Sequence, residues 1–578
     1  MRIFFRDTIC AITALLIASV AVARSSDYAY PIVGVKGHHS ASFGEMRPDH
    51  FHSGIDIKSD GREGLSVVAA AEGYISRVSL SPTGYGLAIY ITHPRLGTTT
   101  VYGHLSRFRD DIAECVRQER IRLRSNRVDI RFAADSFKVE RGEVIGYSGN
   151  SGNSFGPHLH FELRDIASRQ TVNLVRRGIM RPKDSTPPQI IKIEYVEVDT
   201  LCGVAIERSR RAYTPQRQGR NYIIAKGIEV GTNGYFVLSC RDRHTSTTNR
   251  YGIYRATLRI DGSKRFEYRM NGFDFADTRA CNVVAHYHQQ RNASCEVLRL
   301  VKAEGAPQYL YPAAKHNGTI NLKKGAQSRV EIEVEDDCGN RSRLSFTARG
   351  AGDRYKSRKT TVPPLNAIIG GTGQEVTLCD AHYRVGVPSA SLYEPTWCSA
   401  ERRTSKPTIE GAVVLSEEYR ILSAAVPLRE AIGIWLSAEI PVELRTRTGI
   451  ALRDSKGRYK WLGGCYAAEG VTVQSHNCGS MVVVADNVAP TIEPRFSEQS
   501  DLTQAKRITF KIEDNFSGIK RYECWLDGEW QPLDYSPITG IASHEFDAKC
   551  GGNQRHNITI RALDRAGNIA EWRGEFVR

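Results

Sequence analysis

The sequence predicts an all-β protein made of several domains. The chain has 578 residues, which is longer than a single hydrophobic core normally supports. Glycine is abundant, with 50 residues, and long stretches of helical periodicity are rare. Short runs of alternating apolar and polar residues, bounded by turn-forming residues, recur along the whole chain. This pattern is typical of strands.

The first residues have the pattern of a secretory signal, which we predict over residues 1–23. Arg2 and Arg6 make a basic start, a short apolar core runs from Ile9 to Val22, and Ala21–Ala23 offers a small-x-small cleavage site. The apolar core is shorter than the roughly 20 residues that a spanning helix needs. We therefore expect an exported protein of the periplasm or cell envelope, without stable membrane insertion after cleavage. An uncleaved membrane anchor is the alternative.

The cysteine count agrees with export. Of the 13 cysteines, Cys10 lies in the predicted signal, which leaves twelve. An even number in an exported chain indicates disulfides, and buried free thiols are the alternative. The local pairs that we expect first are Cys281–Cys295, Cys379–Cys398, Cys465–Cys478 and Cys524–Cys550.

Composition and charge limit the classes of partner. Charged residues make up 25% and hydrophobic residues 41% of the chain, as in ordinary soluble globular proteins. The formal net charge of +15 is compatible with an acidic partner or with a merely soluble basic protein. No nucleic-acid recognition motif appears, so we predict no nucleic-acid partner. The arginine-dense run from Arg117 to Arg131 is predicted to be the solvated face of a helix.

Residues 28–183 are predicted to form the first compact domain. A more helical, charged insertion is expected in it from Ser106 to about Arg131. Its predicted strands are Leu65–Ala71, Tyr74–Leu80, Gly86–His93, Thr98–His104, Glu143–Ser148 and His158–Arg164.

Two later segments share the same opening and closing sequences. Proline-containing boundaries at Asp184–Pro188 and Asp486–Pro490 are each followed by an alternating strand, Gln189–Glu197 or Thr491–Phe496. Both segments end in a strand, an Asp-to-Gly-Asn turn and a last strand, with the turns ending at Asn340 and Asn568. This arrangement fits the closing hairpin of a β-sandwich.

We therefore predict two Ig-like β-sandwich modules, at residues 185–350 and 488–578. Residues 371–487 are predicted to form another β-rich module, after a linker at 351–370. Such modules usually bind or space rather than catalyse. A structural spacer is the default expectation, and binding of glycan, contact with an envelope protein or coverage of a binding groove are the alternatives.

Three short motifs in the first domain carry the chemistry. His52 and Asp56 flank a tight stretch that contains a glycine, His104 ends a predicted strand, and His158 and His160 stand two residues apart on another. Residues i and i+2 of a strand point to the same face, roughly 6.5–7 Å apart. His158 and His160 therefore face one groove, where one can bind a metal while the other acts on a water molecule.

These residue types are sufficient for a zinc hydrolase site. Zinc binds imidazole nitrogen and carboxylate oxygen, and a catalytic zinc keeps one position open for water. The His286–His288 pair has the same spacing as His158 and His160 but no accompanying motif, and we predict a structural role for it. The other histidines predicted not to be ligands are His38, His39, His93 and His50, the last being the nearest rival to His52.

In this order, the three motifs resemble those of the M23 (lysostaphin/LytM-type) peptidoglycan metallopeptidases. The resemblance covers roughly residues 35–166 and includes a glycine-rich strand at Gly142–Gly149. It implies an antiparallel-sheet catalytic domain that holds one Zn²⁺. His52, Asp56 and His160 are implied as the zinc ligands, and His104 and His158 as the catalytic pair. The long β-rich extension is similar to that of M23 proteins of the Bacteroidetes group, which is a less specific match.

The implied reaction is hydrolysis of a peptide bond in peptidoglycan stem peptides or cross-links by a zinc-bound water. One histidine of the catalytic pair would act as general base and the other would stabilise the oxyanion, and the sequence leaves open which does which. Because all five positions are retained, we expect an active enzyme. The alternatives are a catalytically silent cell-wall binding or hydrolase-activating scaffold, and a general secreted protease.

Overall fold

The computed structural model describes residues 27–245, 247–312, 317–352, 363–364, 366–371, 373–497, 501–546 and 554–578. The predicted all-β fold is confirmed, because strands and turns account for nearly all of these residues. The predicted signal at 1–23 lies outside the described residues. No helix among the residues described combines the length and the apolar character needed to cross a membrane.

The first region contains eleven strands and one helix. All six predicted strands overlap observed ones. The elements are β1 (His39–Ala41), β2 (Ile55–Lys58), β3 (Ser66–Val68), β4 (Gly73–Leu80), β5 (Leu87–His93), β6 (Thr98–Phe108), α1 (Asp110–Leu123), β7 (Val128–Arg131), β8 (Lys138–Val139), β9 (Val144–Ser148), β10 (His158–Asp165) and β11 (Gln170–Val172).

The predicted helical insertion is α1. Its first turn carries Asp110 and Asp111 and its last turn carries Arg120 and Arg122, a distribution that complements the helix dipole. Ile112, Val116 and Arg120 are its buried residues, spaced at intervals of four as one helix face requires. The helix therefore packs by one stripe and exposes the rest of its charged surface.

The next region holds β12 to β22 and two short helices. Its elements are β12 (Gln189–Leu201), β13 (Val204–Tyr213), β14 (Gln216–Gln218), β15 (Asn221–Val230), β16 (Gly234–Arg241), β17 (Arg255–Ile260), β18 (Ser263–Arg269), β19 (Gly272–Asp274), α2 (Cys281–Val284), α3 (Tyr287–Gln290), β20 (Glu296–Arg299), β21 (Gln327–Glu335) and β22 (Arg341–Gly350).

The remaining strands form the middle and C-terminal regions. The middle strands are β23 (Ile368–Gly370), β24 (Val376–Cys379), β25 (Tyr383–Val387), β26 (Thr396–Cys398), β27 (Ala400–Arg402), β28 (Val413–Val414), β29 (Tyr419–Ile421), β30 (Ile432–Ser437), β31 (Thr448–Arg453), β32 (Tyr459–Gly463), β33 (Cys465–Ala467), β34 (Gly470–Ser475) and β35 (Gly479–Ala485). The C-terminal strands are β36 (Thr491–Pro494), β37 (Arg507–Glu513), β38 (Ile519–Leu526), β39 (Glu529–Gln531), β40 (Asp534–Ser536), β41 (Ile541–Glu545), β42 (Arg555–Asp564) and β43 (Ile569–Val577). Short 3-10 helices cover Pro94–Leu96, Phe275–Ala280, Gln308–Leu310 and Val442–Arg447.

The first region is organised around one antiparallel sheet with the order β1-β2-β10-β6-β5-β4-β7. In β10, all positions from Leu159 to Leu163 are buried, as expected of a central strand covered on both faces. The strand β9 pairs with β6 and β3, and β8 pairs with β4. Central placement of β10 brings its two histidines between β2 and β6.

The first sheet does not end at the predicted domain boundary. Strand β11 pairs with β19 from the following region, with Thr171 opposite Phe273. The Phe273 ring also lies 5.5 Å from that of Phe43 and 5.4 Å from that of Phe51, measured between centroids. One hydrophobic core contains residues from Tyr28 to Ala348, together with Tyr393 from the middle region. The segment that precedes His52 therefore packs directly on the next module.

The two segments with matching sequences have matching hairpins. Strands β21 and β22 pair antiparallel with Glu335 opposite Arg341, and β42 and β43 pair with Leu563 opposite Ile569. Each region has two sheets: β13-β12-β16-β20 with β14-β15-β22-β21-β17-β18, and β36-β37-β41-β40 with β39-β38-β42-β43. Two facing sheets around a shared core are the architecture of a sandwich.

The C-terminal region contacts the first domain through the end of α1. Asn126 donates to the Tyr522 carbonyl at 2.8 Å and accepts from the Leu533 N–H at 2.8 Å. Arg120 donates to the Leu533 carbonyl at 3.2 Å and pairs with Asp534 at 2.9 Å. The insertion thus anchors the first domain to the C-terminal region.

The predicted local disulfides are not formed where the structure describes both cysteines. All eleven cysteines in the described ranges are free thiols. Cys281 lies in the large N-terminal core, whereas Cys295 packs against a separate cluster. In the pairs Cys379–Cys398 and Cys465–Cys478, the first cysteine is exposed and the second buried. The predicted pairing was wrong because sequence proximity does not fix which face a side chain occupies. In the fourth pair, Cys550 lies outside the described residues.

Candidate metal centre

Strand pairing brings the three motifs together. In the sheet, His160 on β10 lies opposite Asp56 on β2 and opposite Gly103 on β6. Directly opposed residues of antiparallel strands have their Cβ atoms about 4.5–5.5 Å apart. His104 follows Gly103 and His158 precedes His160 on the same face, so all these histidines surround Asp56.

Three ligand atoms converge at one point. His52 Nε2 lies 3.0 Å from Asp56 Oδ1 and 3.1 Å from His160 Nδ1, and His160 Nδ1 lies 2.9 Å from Asp56 Oδ1. A tetrahedral zinc with ligands at about 2.0–2.1 Å separates them by about 3.3 Å. The three side chains are buried and form one of the groups able to hold a metal ion. The donor atoms therefore need to move apart by only a few tenths of an ångström, and the residues fit the metal.

Each of the two histidine ligands has a hydrogen-bond partner on the side of its ring away from the centre. This partner fixes the ring so that the lone pair of the other nitrogen faces the centre. The Nδ1 of His52 lies 2.8 Å from the Ser42 carbonyl, which can only accept, so Nδ1 carries the hydrogen and Nε2 is the free acceptor. The Nε2 of His160 lies 3.0 Å from Glu162 Oε1, which leaves Nδ1 as the acceptor. Two imidazole lone pairs and a carboxylate then face one another. Such an arrangement repels itself unless a cation lies between them.

His104 and His158 have a matching arrangement beside this centre. The Nδ1 of His104 donates to the Ser151 carbonyl at 2.7 Å, and that of His158 donates to the Gly156 carbonyl at 2.8 Å. Their rings are 4.7 Å apart, and His158 Nε2 lies 3.6 Å from Asp56 Oδ1. Each ring therefore presents an Nε2 that is free to take or hold a proton at the site.

His104 adopts a backbone conformation that is unusual for a residue with a side chain. Its φ angle is 61°, in the left-handed region, which costs of order 1–3 kcal/mol when the surroundings enforce it. Its N–H donates to the Tyr85 carbonyl at 2.7 Å. This hydrogen bond helps to keep His104 in its strained backbone conformation. In this conformation the His104 ring lies beside that of His158.

Glu162 is a central residue of the site that the sequence interpretation did not assign. It is fully buried and accepts hydrogen bonds from His160, Ser53, Tyr85 and Arg164. Its position two residues after His160 on a strand was a usable signal, because period two puts both on one face. Tyr85 carried no such signal, because it reaches the site from the turn between β4 and β5.

Gly54 is required by close approach rather than by a turn. A Cβ at this position would lie 2.4 Å from the Phe161 carbonyl oxygen and 3.0 Å from His160 Nε2. Any side chain would therefore push β10 away from the segment that carries His52 and Asp56.

The electrostatics of the centre follow from burial and from the facing charges. The pKa of His104 is lowered to about 3, first by burial and then by His158 and His160. Burial raises the pKa of Asp56, but His52, His158 and His160 together hold it well below its usual value. Burial lowers the pKa of His160, but hydrogen bonds to Asp56 and Glu162 raise it to about 9. Without a metal, a proton on His160 supplies the positive charge that the converging lone pairs require.

Arg47 lies at the edge of the centre. Its guanidinium is 3.4 Å from Asp56 Oδ2 and 3.5 Å from Glu45 Oε1. Asp56 Oδ1 faces the histidines while Oδ2 faces Arg47, so the two oxygens of one carboxylate have separate partners.

The other histidines lie outside this group of ligands. His93 is buried and bonded to the Glu72 carbonyl and Thr100. His50 bonds to Asp49 at the surface. His286 contacts Glu207 and Arg210 in the second region. Among the described residues, the group of converging ligand atoms at this site contains only His52, Asp56 and His160.

Among the comparisons with known proteins, the family match falls in this same region. A protein-family model described as peptidase family M23 matches residues 127–174, a segment that contains His158 and His160. The chain is 34% identical over 132 residues to a DD-carboxypeptidase/endopeptidase Mpg of Neisseria meningitidis, covering 23% of this chain and 24% of that protein. It is 31% identical over 119 residues to an uncharacterized metalloprotease of Haemophilus influenzae, covering 21% and 19%.

Among solved structures, the chain is similar to the catalytic domain of the prophage-encoded M23 protein EnpA from Enterococcus faecalis. The identity is 28%, the TM-score is 0.18, and the match covers 25% of this chain and 92% of that domain. The chain spans about a quarter of the length of the first Neisseria relative that it matches.

Proposed function

The N-terminal domain of this chain belongs to peptidase family M23, and from this premise we propose that the protein is a zinc-dependent endopeptidase acting on peptidoglycan. The substrate is a peptide bond of stem peptides or cross-links. The observation that carries the proposal is the convergence of two imidazole lone pairs and one carboxylate oxygen within 3.1 Å of one another. The peptidase names of the Neisseria relatives support the reaction class.

His52, Asp56 and His160 would hold the zinc. When bound there, zinc supplies Lewis acidity, which lowers the pKa of a water molecule and polarises the scissile carbonyl. With a single carboxylate among its three ligands, the centre keeps a net positive charge. Glu162 and the Ser42 carbonyl orient the two histidines, because each accepts the N–H on the far side of the ring.

His104 and His158 carry the proton transfers. Each has its Nδ1–H fixed to a main-chain carbonyl, so the Nε2 atoms receive or deliver the proton. A lowered pKa keeps His104 neutral at physiological pH, so that its Nε2 lone pair is available to accept a proton. The proton taken from water is returned to the leaving amine. The ring that stabilises the oxyanion must be an imidazolium, because only then does its Nε2 carry a hydrogen to donate.

Site variants and metal removal test the proposal on purified cell wall. His160→Ala should lose zinc and wall lysis together, whereas His104→Ala should keep zinc and lose lysis. His286→Ala is the matched control, because that histidine is partly buried and hydrogen-bonded but lies outside the centre. Full activity after chelation would refute the zinc mechanism. A folded domain with no bound zinc and no turnover on any wall would instead favour a silent scaffold. Turnover of ordinary peptides alone would favour a general protease.

Mass spectrometry of the released fragments identifies the bond that is cut. Products that end at a peptide bond of the stem or cross-link are expected. Products that differ only in the glycan would contradict the assignment as an endopeptidase.

The proposal includes export to the periplasm or envelope and the four domains predicted from the sequence. The first of these, residues 28–183, depends on the next for part of its core, because Phe43 and Phe51 pack on Phe273. We expect a chain ending at residue 184 to be insoluble or unfolded, and one ending at residue 350 to fold. A stable, active fragment of 28–183 would show that the shared core is dispensable.

A further inference from the structure

The two sandwiches carry the same group of carboxylates at the same place. In the first sandwich, Asp184 precedes β12, Asp242 follows β16, and Asp336 and Asp337 follow β21. The C-terminal sandwich has three corresponding carboxylates: Asp486 before β36, Asp514 after β37 and Asp564 at the end of β42. The strands correspond as well, because β12 pairs with β16 as β36 pairs with β37.

An asparagine organises each group in the same way. Asn340 donates from its main chain to Asp336 Oδ1 at 2.8 Å and from its side chain to Asp336 Oδ2 at 2.9 Å. Asn568 makes the same two bonds to Asp564, at 2.8 and 2.7 Å. The side-chain amide then reaches Asp184 Oδ2 at 3.0 Å in the first sandwich. These turns hold the carboxylates in place instead of letting them separate.

An independent feature points from the first group to a ligand. Asp242 is only 1% exposed, and within the described residues neither of its carboxylate oxygens has a hydrogen-bond partner. The charged groups that act on it are the carboxylates of Asp184, Asp336 and Asp337. A buried carboxylate surrounded by other carboxylates is strongly unfavourable unless a proton or a cation neutralises it.

One titratable ring lies beside this group. His244 Nε2 is 3.7 Å from Asp337 Oδ1 and has no hydrogen-bond partner among the described residues. Its ring stacks on Tyr251 at 3.8 Å. The nearby Cys338 donates its S–H to Asp337 Oδ1 at 3.4 Å and so behaves as a neutral thiol. The ligand atoms that lie within 4.8 Å of one another here belong to Asp184, His244 and Cys338, and to Asp336, Asp337 and Cys338. With the thiol neutral, the anionic ligands among them are oxygens.

The C-terminal group consists of oxygen ligands alone. One oxygen each from Asp486, Asp514 and Asp564 lies within 4.8 Å of the others. Asp514 Oδ1, together with the buried Ser517 Oγ and Asn568 Oδ1, has no hydrogen-bond partner in the described part of the chain. This donor set repeats the chemistry of the first pocket without its imidazole and thiol.

We propose that each sandwich binds one hard divalent cation, of the calcium class, in this carboxylate pocket. Calcium takes six to eight oxygen ligands at about 2.3–2.6 Å, from carboxylates, amide carbonyls and water. Magnesium prefers a smaller, strictly octahedral shell and keeps several waters. Pockets that offer three or four carboxylates and nearby amide or hydroxyl oxygens suit the larger ion.

The first pocket also contacts the sheet of the N-terminal domain that carries the metal centre. The Tyr251 hydroxyl, beneath the stacked His244 ring, donates to the His39 carbonyl at 2.9 Å. His39 lies on β1 opposite Ile57 of β2, next to Asp56. A cation in this pocket therefore stabilises the module against the strand that neighbours the metal centre.

Calcium titration of the zinc-loaded, full-length protein tests the proposal. Calorimetry should detect two calcium ions per chain, with one lost in Asp242→Asn and one in Asp514→Asn. Magnesium should bind each site at least tenfold more weakly. Asp454→Asn is the control, because Asp454 is a turn carboxylate that caps its own loop without facing other carboxylates.

Thermal unfolding separates a cation site from a structural carboxylate. Calcium should raise the Tm of the wild-type protein and leave unchanged the Tm of a variant that combines Asp242→Asn and Asp514→Asn. In calcium-free buffer, Asp242→Asn should unfold at the same or a higher temperature than wild type, since it removes a repelled charge. Absence of calcium binding overturns the proposal. An Asp242→Asn variant that is equally destabilised with and without calcium also overturns it. If only one calcium ion binds per chain, the proposal fails for the sandwich whose aspartate variant leaves calcium binding unchanged.

Discussion

Glu162→Gln tests how the metal centre is oriented. The carboxylate is fully buried, accepts the Nε2–H of His160 at 3.0 Å and pairs with Arg164 at 2.7 Å. Glutamine keeps the shape and one acceptor oxygen but loses the charge. The His160 ring is then held less firmly in the tautomer that points its lone pair at the metal, and its nitrogen becomes a weaker base.

The magnitude follows from the change in hydrogen-bond type. A hydrogen bond to a charged group contributes about 1.5–3 kcal/mol and a neutral one about 0.5–1.5 kcal/mol. The variant should therefore weaken the orienting contact by about 1–2 kcal/mol, which is about 5- to 30-fold in zinc affinity at 1.4 kcal/mol per tenfold. That range overlaps the about 10–100-fold typical for loss of an outer partner of a ligand.

Competition with a chromophoric chelator at fixed neutral pH measures the zinc affinity, and thermal unfolding with zinc absent measures the stability separately. Glu267→Gln is the matched control, because Glu267 is equally buried and paired with Lys264 and Arg269 but lies in the next region. A folded Glu162→Gln protein that binds zinc as tightly as wild type would refute the role of Glu162 in orienting His160.

Three further predictions concern protons and packing. The raised pKa of His160, about 9, means that zinc displaces a proton, so competition titrations should give an affinity that rises about tenfold per pH unit up to about pH 9; a flat profile would contradict this. The pKa of His104 is lowered to about 3 from the usual 6.5, so its contribution to the free energy of unfolding is complete above pH 6.5 and is lost as the pH falls. His104→Gln should therefore reduce the acid sensitivity of the metal-free protein in urea titrations, and an unchanged pH dependence would count against the lowered pKa. Glu296→Gln should lower the free energy of unfolding by about 1–3 kcal/mol, because Glu296 accepts from the N–H groups of Met46 and Ile253; unaltered urea denaturation would show that this contact between regions is unimportant.

Local chain geometry made much of this protein predictable. Alternation along a strand is enforced by the backbone, so the spacing of His158 and His160 already placed both rings on one face. The same rule would have identified Glu162. Charged residues at both ends of α1 and the turns around Asn340 and Asn568 are likewise local, and the structure has them where the sequence predicted a helix and two hairpins.

The disulfides show where local reasoning stops. Cys281 and Cys295 are close in sequence, yet their side chains belong to different hydrophobic clusters. Which thiols meet depends on how sheets pack, and that is decided by contacts between residues far apart in the chain. The same limit applies to the core that Phe43 and Phe51 share with Phe273 across the predicted boundary.

By itself, the sequence determined the fold class, the repeated sandwich pattern and the identities of the five residues of the candidate site. Only the tertiary structure decided which nitrogen of each imidazole faces the centre, because the Ser42 carbonyl and the Glu162 carboxylate make that choice from outside the ring. It also decided that Asp242 is buried among other carboxylates. Periodicity is a property of neighbouring peptide units, whereas burial and hydrogen-bond partners are set by the strands that fold against them.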